Sequence, residues 1–233
     1  MTATSMTIDV LQRTAVATLS TVLRQRGLHS VWMRGPQPME QKQARIAGPA
    51  FTVRLVPARE DISTPDSMRG PRSLFAAIET MPEGCIVVVD AGGRGGAGFI
   101  GDIGCARMQY RKVAGLVTDG PIRDFAGISR LNWPIWACGT AAPPSLAKFH
   151  CADIQVTVAC GGVTIMPGDI VVADDDGAIV IPAAMAGSIA EVGWEKDRLE
   201  EWIFQRVKAG EPLAGLYPPT DKTKERFQTE GPG

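Results

Sequence analysis

Histidine is almost missing from this chain: His29 and His150 are its only two among 233 residues. Neither stands beside a G-x-S-x-G elbow or similar signal, so Ser-His-Asp and Cys-His machinery has little to build on. The five cysteines, Cys85, Cys105, Cys138, Cys151 and Cys160, include no C-x-x-C pair. Most stand among apolar or small residues, where a free cysteine behaves as a small core hydrophobe. An excess of one charge is also lacking. Lys and Arg number 24 against 25 Asp and Glu, a net charge of −1 with no basic run, so no footprint for nucleic acid is present. The longest apolar runs, such as Cys85 to Val89, are far too short to span a bilayer. The opening MTATSMTIDVLQR carries neither the charged nor the apolar region of a signal peptide. These absences predict a cytoplasmic protein without a membrane or nucleic-acid partner.

What is present is ordinary globular composition, 45% hydrophobic and 21% charged, enough for a sizeable core. Apolar residues from Val10 to Leu23 recur at helical spacing, with Thr7 as the expected cap and Gly27 as the stop. Gly48-Pro49 opens an alternating strand through Phe51, Val53 and Leu55. Residues 84–90 form a continuous apolar run, the mark of a strand buried on both faces. A helix over 102–112, a buried strand at 116–118, a short helix over 124–131 and a strand at 134–138 follow. From Ile154 the pattern turns to short strands at 154–159, 163–165, 170–173 and 178–181. Ala183 to about Val207 reads as a long helix ended by Gly210. The tail beyond it, rich in proline and charge, is expected either to fray or to lie across a neighbouring subunit. One α/β domain over 1–186 and a C-terminal helix and tail over 187–233, packing on a neighbour, are the expected units.

Two glycine-rich readings compete between residues 92 and 104. Gly93 to Gly98 spells G-x-G-x-x-G after a buried strand, with Asp119 ending the next one, which resembles a dinucleotide fingerprint. Six or more glycines in so short a loop produce that pattern easily by chance. Alternatively, the loop entering the helix at Asp102 presents backbone N–H groups to an anion such as a carboxylate. The residues that carry most chemistry are Asp102, Asp119, Arg123 and Asp124. Oxygen ligands with few histidines point to a hard cation, and an arginine beside them suits a carboxylate or a developing enolate. The plain alternative is a surface turn in which Asp124 caps a helix and Arg123 makes an exposed ion pair. Asp174-Asp175-Asp176-Gly177 reads as a solvated hairpin turn, and Trp194 and Trp202 as packing or subunit-contact residues.

Asp102, then twenty residues, then Arg123-Asp124, set in Gly115-Leu116-Val117-Thr118-Asp119-Gly120-Pro121-Ile122-Arg123-Asp124, resembles the D-x20-R-D signature of the 4-hydroxy-4-methyl-2-oxoglutarate aldolases and RraA-like proteins. Residues 167–182 are similar to that family's C-terminal strands, and Gly48 to Val53 to its first strand. The resemblance implies a swivelling β/β/α-type sandwich with a C-terminal helical arm, assembled as a homotrimer or homohexamer. It implies class II aldolase chemistry on a short 4-hydroxy-2-oxo acid, with Mg²⁺ or Mn²⁺, release of pyruvate and accompanying oxaloacetate decarboxylation. Asp124 would ligate the metal, and Asp102 would reach it through water and help proton transfer. Arg123 would stabilise the pyruvate enolate, and the backbone at Gly101, Ile103 and Gly104 would receive the substrate carboxylate. A neighbouring subunit would add an acidic residue, for which Glu195, Asp197, Glu200 and Glu201 are candidates. The other function the resemblance allows is a non-catalytic regulator that binds a ribonuclease or helicase.

Overall fold

The computed structural model describes residues 4–231. The apolar spacing near the start forms two helices rather than one, α1 (Ser5–Arg13) and α2 (Val16–Gln25). Thr4, not Thr7, caps the first, accepting from Thr7 N. The break at Thr14-Ala15 is set from a distance. Val16 N donates to Asp174 Oδ2 at 3.0 Å and Ala15 N to Asp197 Oδ1 at 3.4 Å, so two remote carboxylates cap α2.

The remaining elements are β1 (Gln37–Pro38), β2 (Ile46–Pro57), α3 (Leu74–Ile78), β3 (Ile86–Asp90), α4 (Asp102–Tyr110), β4 (Gly115–Thr118), α5 (Phe125–Ile128) and β5 (Ile135–Ala137). Then come β6 (Phe149–Ile154), β7 (Val158–Cys160), β8 (Val163–Ile165), β9 (Ile170–Asp174), β10 (Gly177–Ile181), α6 (Ala186–Lys208) and α7 (Asp221–Glu230). The strand expected over 154–159 is split, because Gln155 turns to φ 56° and bonds both ways across to Thr52.

β2 organises the sheet. Its edge toward β3 pairs in parallel, and β4 and β5 extend that parallel run. Along its other edge, Ile46–Pro49 pairs antiparallel with β9, and Val53–Pro57 pairs antiparallel with β6. One long strand thus belongs to a parallel α/β layer at one end and a meander at the other, which curls the sheet into a half-barrel. Side chains alternate across it as a strand period of two demands. Ile86, Val88, Val117 and Trp136 join the cluster under α1, α2 and α6, whereas Val87, Val89, Leu116 and Ile135 join the one under α3, α4 and α5. Helices therefore cover both faces, and the mixed α/β sandwich expected from sequence is the observed fold.

The first half of α6 belongs to the main core, since Ile189 and Ala190 share a cluster with Leu19 and Leu23. The second half meets the tail. Thr220 and Thr223 form a capping box that starts α7, and Trp202, Ile203, Leu216 and Phe227 make a separate cluster. Trp202 and Phe227 meet edge to face at 5.9 Å, with Arg206 stacked 4.2 Å over the indole. The tail, expected either to fray or to lie across a neighbouring subunit, docks on α6 of its own chain. No helix among the described residues is long and apolar enough to cross a membrane.

Candidate active site

Asp102 opens α4 and Arg123-Asp124 opens α5, and hydrogen bonds between the two approaches bring them together. Phe99 N donates to Pro121 O at 3.2 Å and Arg123 N to Ile100 O at 2.9 Å, so residues 98–101 and 121–124 run side by side. Glycine is required at three close contacts. A Cβ on Gly98 would lie 2.6 Å from Arg123 Cβ, one on Gly101 2.3 Å from Asp124 Oδ2, and one on Gly127 2.3 Å from Asp102 Oδ2. Asp102, Arg123 and Asp124 all line one open cleft of about 430 Å³. Met68, Phe75, Phe99 and Pro144 line it too.

Helix capping does not account for Asp124. The residue occupies the N-cap position of α5, yet its side chain makes no capping bond and its backbone is left-handed at φ 55°. A non-glycine residue held there is strained. Its Oδ2 accepts from Arg123 Nε at 3.1 Å, and Oδ1 has no donor among the described residues. Asp102 Oδ1 accepts from Ile103 N at 2.8 Å, which occupies one of the amides expected to receive a substrate carboxylate. Asp102 Oδ2 has no donor among the described residues, and the N–H groups of Asp102 and Gly104 have no acceptor. Gly101 caps α4 without a side chain, so this helix start remains open to an anion. Two carboxylates with free oxygens fit a hard, oxygen-binding cation. Among the described residues no group of three or more His, Cys, Asp or Glu converges, so this chain alone offers two protein carboxylates at the cleft.

Asp119, expected with these residues, is elsewhere. It is 5% exposed and accepts from Ala91 N at 2.7 Å, Gly93 N at 2.9 Å and Gly161 N at 3.3 Å. Burial is the main influence on its carboxyl and pushes it above the usual carboxylate range. Its work is to pin two loops, and a carboxylate so occupied is not free to bind a ribose, which removes the dinucleotide reading of Gly93 to Gly98. Asp119→Asn sets an amide N–H₂ against backbone N–H donors. It is expected to cost about 1–3 kcal/mol in a urea melt, with the chemistry at Arg123 retained. Asp174 is also structural: it accepts from Val16 N and pairs with Arg45 at 3.1 Å.

None of the four acidic candidates on α6 lines the cleft of its own chain. Asp197 accepts from Thr18 Oγ1 at 2.8 Å, and Glu200 pairs with Lys196. Glu195 and Glu201 are exposed, the first paired loosely with Arg198 at 3.4 Å. Of the histidines, His29 is exposed and His150, on β6, lines a small recess together with Phe75. Cys85, Cys105 and Cys160 are buried, and burial pushes Cys85 up to about 11 and Cys105 up to about 12. Cys138 is exposed, against the core role expected for most of the cysteines.

A family profile described as RraA-like, Aldolase/RraA, matches residues 16–180. The chain belongs to the RraA-like family. A Halalkalibacterium halodurans protein, provisionally named a 4-hydroxy-4-methyl-2-oxoglutarate aldolase, is 31% identical over 157 residues, 67% of this chain and 69% of that one. A Bacillus cereus protein with the same provisional name is 35% identical over 44% of this chain and 64% of its own length. Among solved structures, Streptomyces coelicolor RraAS2, described as an unusual member of the RNase ES inhibitor RraA protein family, superposes with a TM-score of 0.78. It is 32% identical and covers 88% of this chain and 98% of its own. RraA-like membership and the matched fold agree with the family resemblance read in the sequence.

Proposed function

We propose that this RraA-like chain is a divalent-metal-dependent, class II carbon–carbon lyase that releases pyruvate from a short 4-hydroxy-2-oxo acid and decarboxylates oxaloacetate. One observation carries the reading: Asp102, Arg123 and Asp124 share a cleft, with carboxylate oxygens that no donor among the described residues uses. Mg²⁺ or Mn²⁺ held by Asp124, and by Asp102 through water, would polarise the 2-oxo carbonyl. The open N–H groups at the start of α4 receive the substrate's C1 carboxylate. Asp102 takes the proton of the C4 hydroxyl as the C3–C4 bond breaks and C4 becomes a carbonyl. The electron pair of that bond passes into the pyruvate enolate, whose oxygen faces the Arg123 guanidinium. The proton then returns to C3, so pyruvate and an aldehyde or ketone leave with atoms balanced. If a neighbouring copy supplies a further acidic group, Glu195 and Glu201 are the exposed candidates, held only by Arg198 and Gln205 on the same helix, whereas Asp197 and Glu200 are engaged on α2 and Lys196.

Pyruvate release from oxaloacetate and from 4-hydroxy-2-oxo acids, followed with lactate dehydrogenase and NADH, tests this. Release is expected to need Mg²⁺ or Mn²⁺ and to stop with EDTA. Release that survives both EDTA and Arg123→Ala would falsify the mechanism. The description of the Streptomyces relative favours a second reading, a regulator that binds a ribonuclease. A regulator would retain a ribonuclease in a pull-down with Arg123→Ala and show no metal-dependent turnover.

A further inference from the structure

One face of α6 is left open by its own chain. A groove of about 840 Å³ is lined there by Trp194, Arg198, Glu201 and Gln205, and by Glu230 and Gly231 at the end of α7. The α6 residues in the main core are Ala186, Ile189 and Ala190, and those packed toward α7 are Leu199, Trp202 and Ile203. Trp194 belongs to none of the apolar clusters among the described residues. The polar members of the face hold mainly to their own helix. Arg198 meets Glu195 at 3.4 Å and Gln205 Nε2 donates to Glu201 at 2.6 Å, while the Arg198 guanidinium lies 5.9 Å from the Phe227 ring. The same stripe continues outward to Glu191 and Lys208, both exposed. Residues 191, 194, 198, 201, 205 and 208 are separated by three and four in turn, the spacing of the a and d positions of a heptad.

We propose that this face pairs antiparallel with α6 of a second copy of the chain, about a two-fold axis midway between Arg198 and Glu201. Charge complementarity names that partner. About this axis Arg198 faces the partner's Glu201, Glu191 faces the partner's Lys208 and Trp194 faces the partner's Gln205, and symmetry makes each contact twice. A slide of one heptad sets Arg198 against the partner's Lys208, or in the other direction Glu191 against the partner's Glu201. A parallel arrangement sets each charge against its own kind. Like charges in juxtaposition are costly, so the charges select both the direction and the register. The matched family profile ends at residue 180, before α6 begins, so the contact is read from this chain's own arm. It does not depend on the chemistry of the cleft. With Glu201 held in this contact, Glu195 remains the exposed acidic candidate for a neighbour's cleft.

Sedimentation velocity of the full chain over a range of concentrations tests the pairing. Arg198→Glu and Glu201→Arg each turn two attractive contacts into two repulsive ones. Each is expected to halve the mass of the assembly, or to raise the dissociation constant of its halves at least about tenfold. Mixing the two variants sets two acidic positions against two basic ones and is expected to restore the parent mass. Because Arg198 also lies near Phe227, the same scheme is run with Glu191→Lys and Lys208→Glu, at exposed positions outside the apolar clusters. Smaller shifts of the same sign, again reversed on mixing, are expected there. Equal masses for the parent and Glu201→Arg overturn the proposal, because the groove then takes some other occupant or none. Variants that dissociate but do not recover on mixing, at both pairs of positions, overturn the register and with it the proposal.

Discussion

Arg123→Ala is expected to lower metal-dependent pyruvate release by about 10²- to 10³-fold, the loss typical of removing one preorganised donor to a developing oxyanion. The effect should fall mainly on kcat, because the enolate charge exists only after the C–C bond begins to break. Stability should hardly change. The Arg123 side chain is 34% exposed and makes one ion pair, with an Asp124 that is 44% exposed, and such pairs contribute little. A melting temperature within about 2 °C of the parent is therefore expected. Arg123→Lys keeps a charge but loses the planar fork, and should recover only part of the rate. A loss of under about threefold in kcat for Arg123→Ala would leave the guanidinium without the assigned role.

The second large effect is expected from the smallest change. In Gly101→Ala the added methyl lies 2.3 Å from Asp124 Oδ2 and 3.4 Å from Arg123 Cγ, so the carboxylate must swing away. Backbone strain does not enter, because Gly101 is extended at φ −119° and ψ −170°, a conformation alanine adopts freely. Displacement of about an ångström at a reacting group costs roughly 10²-fold, and that loss is expected here with no fall in thermal stability. Gly187→Ala, whose Cβ meets nothing within 4 Å, is the matched control and should leave the rate unchanged. If both variants behave alike, the contact between residue 101 and Asp124 has no functional weight.

The parts of the fold that could be read in the sequence are those fixed by local pattern. The apolar run of β3 is buried along its whole length, and the two-residue turn before Gly177 does join β9 to β10. Other features depend on distant partners. Nothing near Thr14 signals a break between α1 and α2, because the carboxylates that cap α2 come from Asp174 and Asp197. The tail looked too polar to pack, yet a capping box and the anchors Leu216 and Phe227 suffice to dock α7 on α6.

The site divides in the same way. Asp102 and Arg123-Asp124 could be paired from sequence because one helix and one strand return the chain to its starting edge. Asp119 carries the same chemistry in the same stretch, but the turn after β4 directs it to Ala91, Gly93 and Gly161. Residue type alone does not reveal that direction. Met68 and Phe75 come from a single 3-10 turn and a five-residue helix with no periodic mark of a binding wall. Only the folded chain shows that they line the same cleft as Arg123.

The central claim is that Asp102, Arg123 and Asp124 form a metal-dependent pyruvate-enolate site in an RraA-like chain. The most direct measurement is the loss of the pyruvate methyl signal in deuterium oxide, followed by proton NMR with Mg²⁺ or Mn²⁺. Exchange is predicted to proceed with metal, to stop with EDTA and to be absent in Asp124→Asn. Exchange that continues undiminished in EDTA, or in Asp124→Asn, would contradict the account.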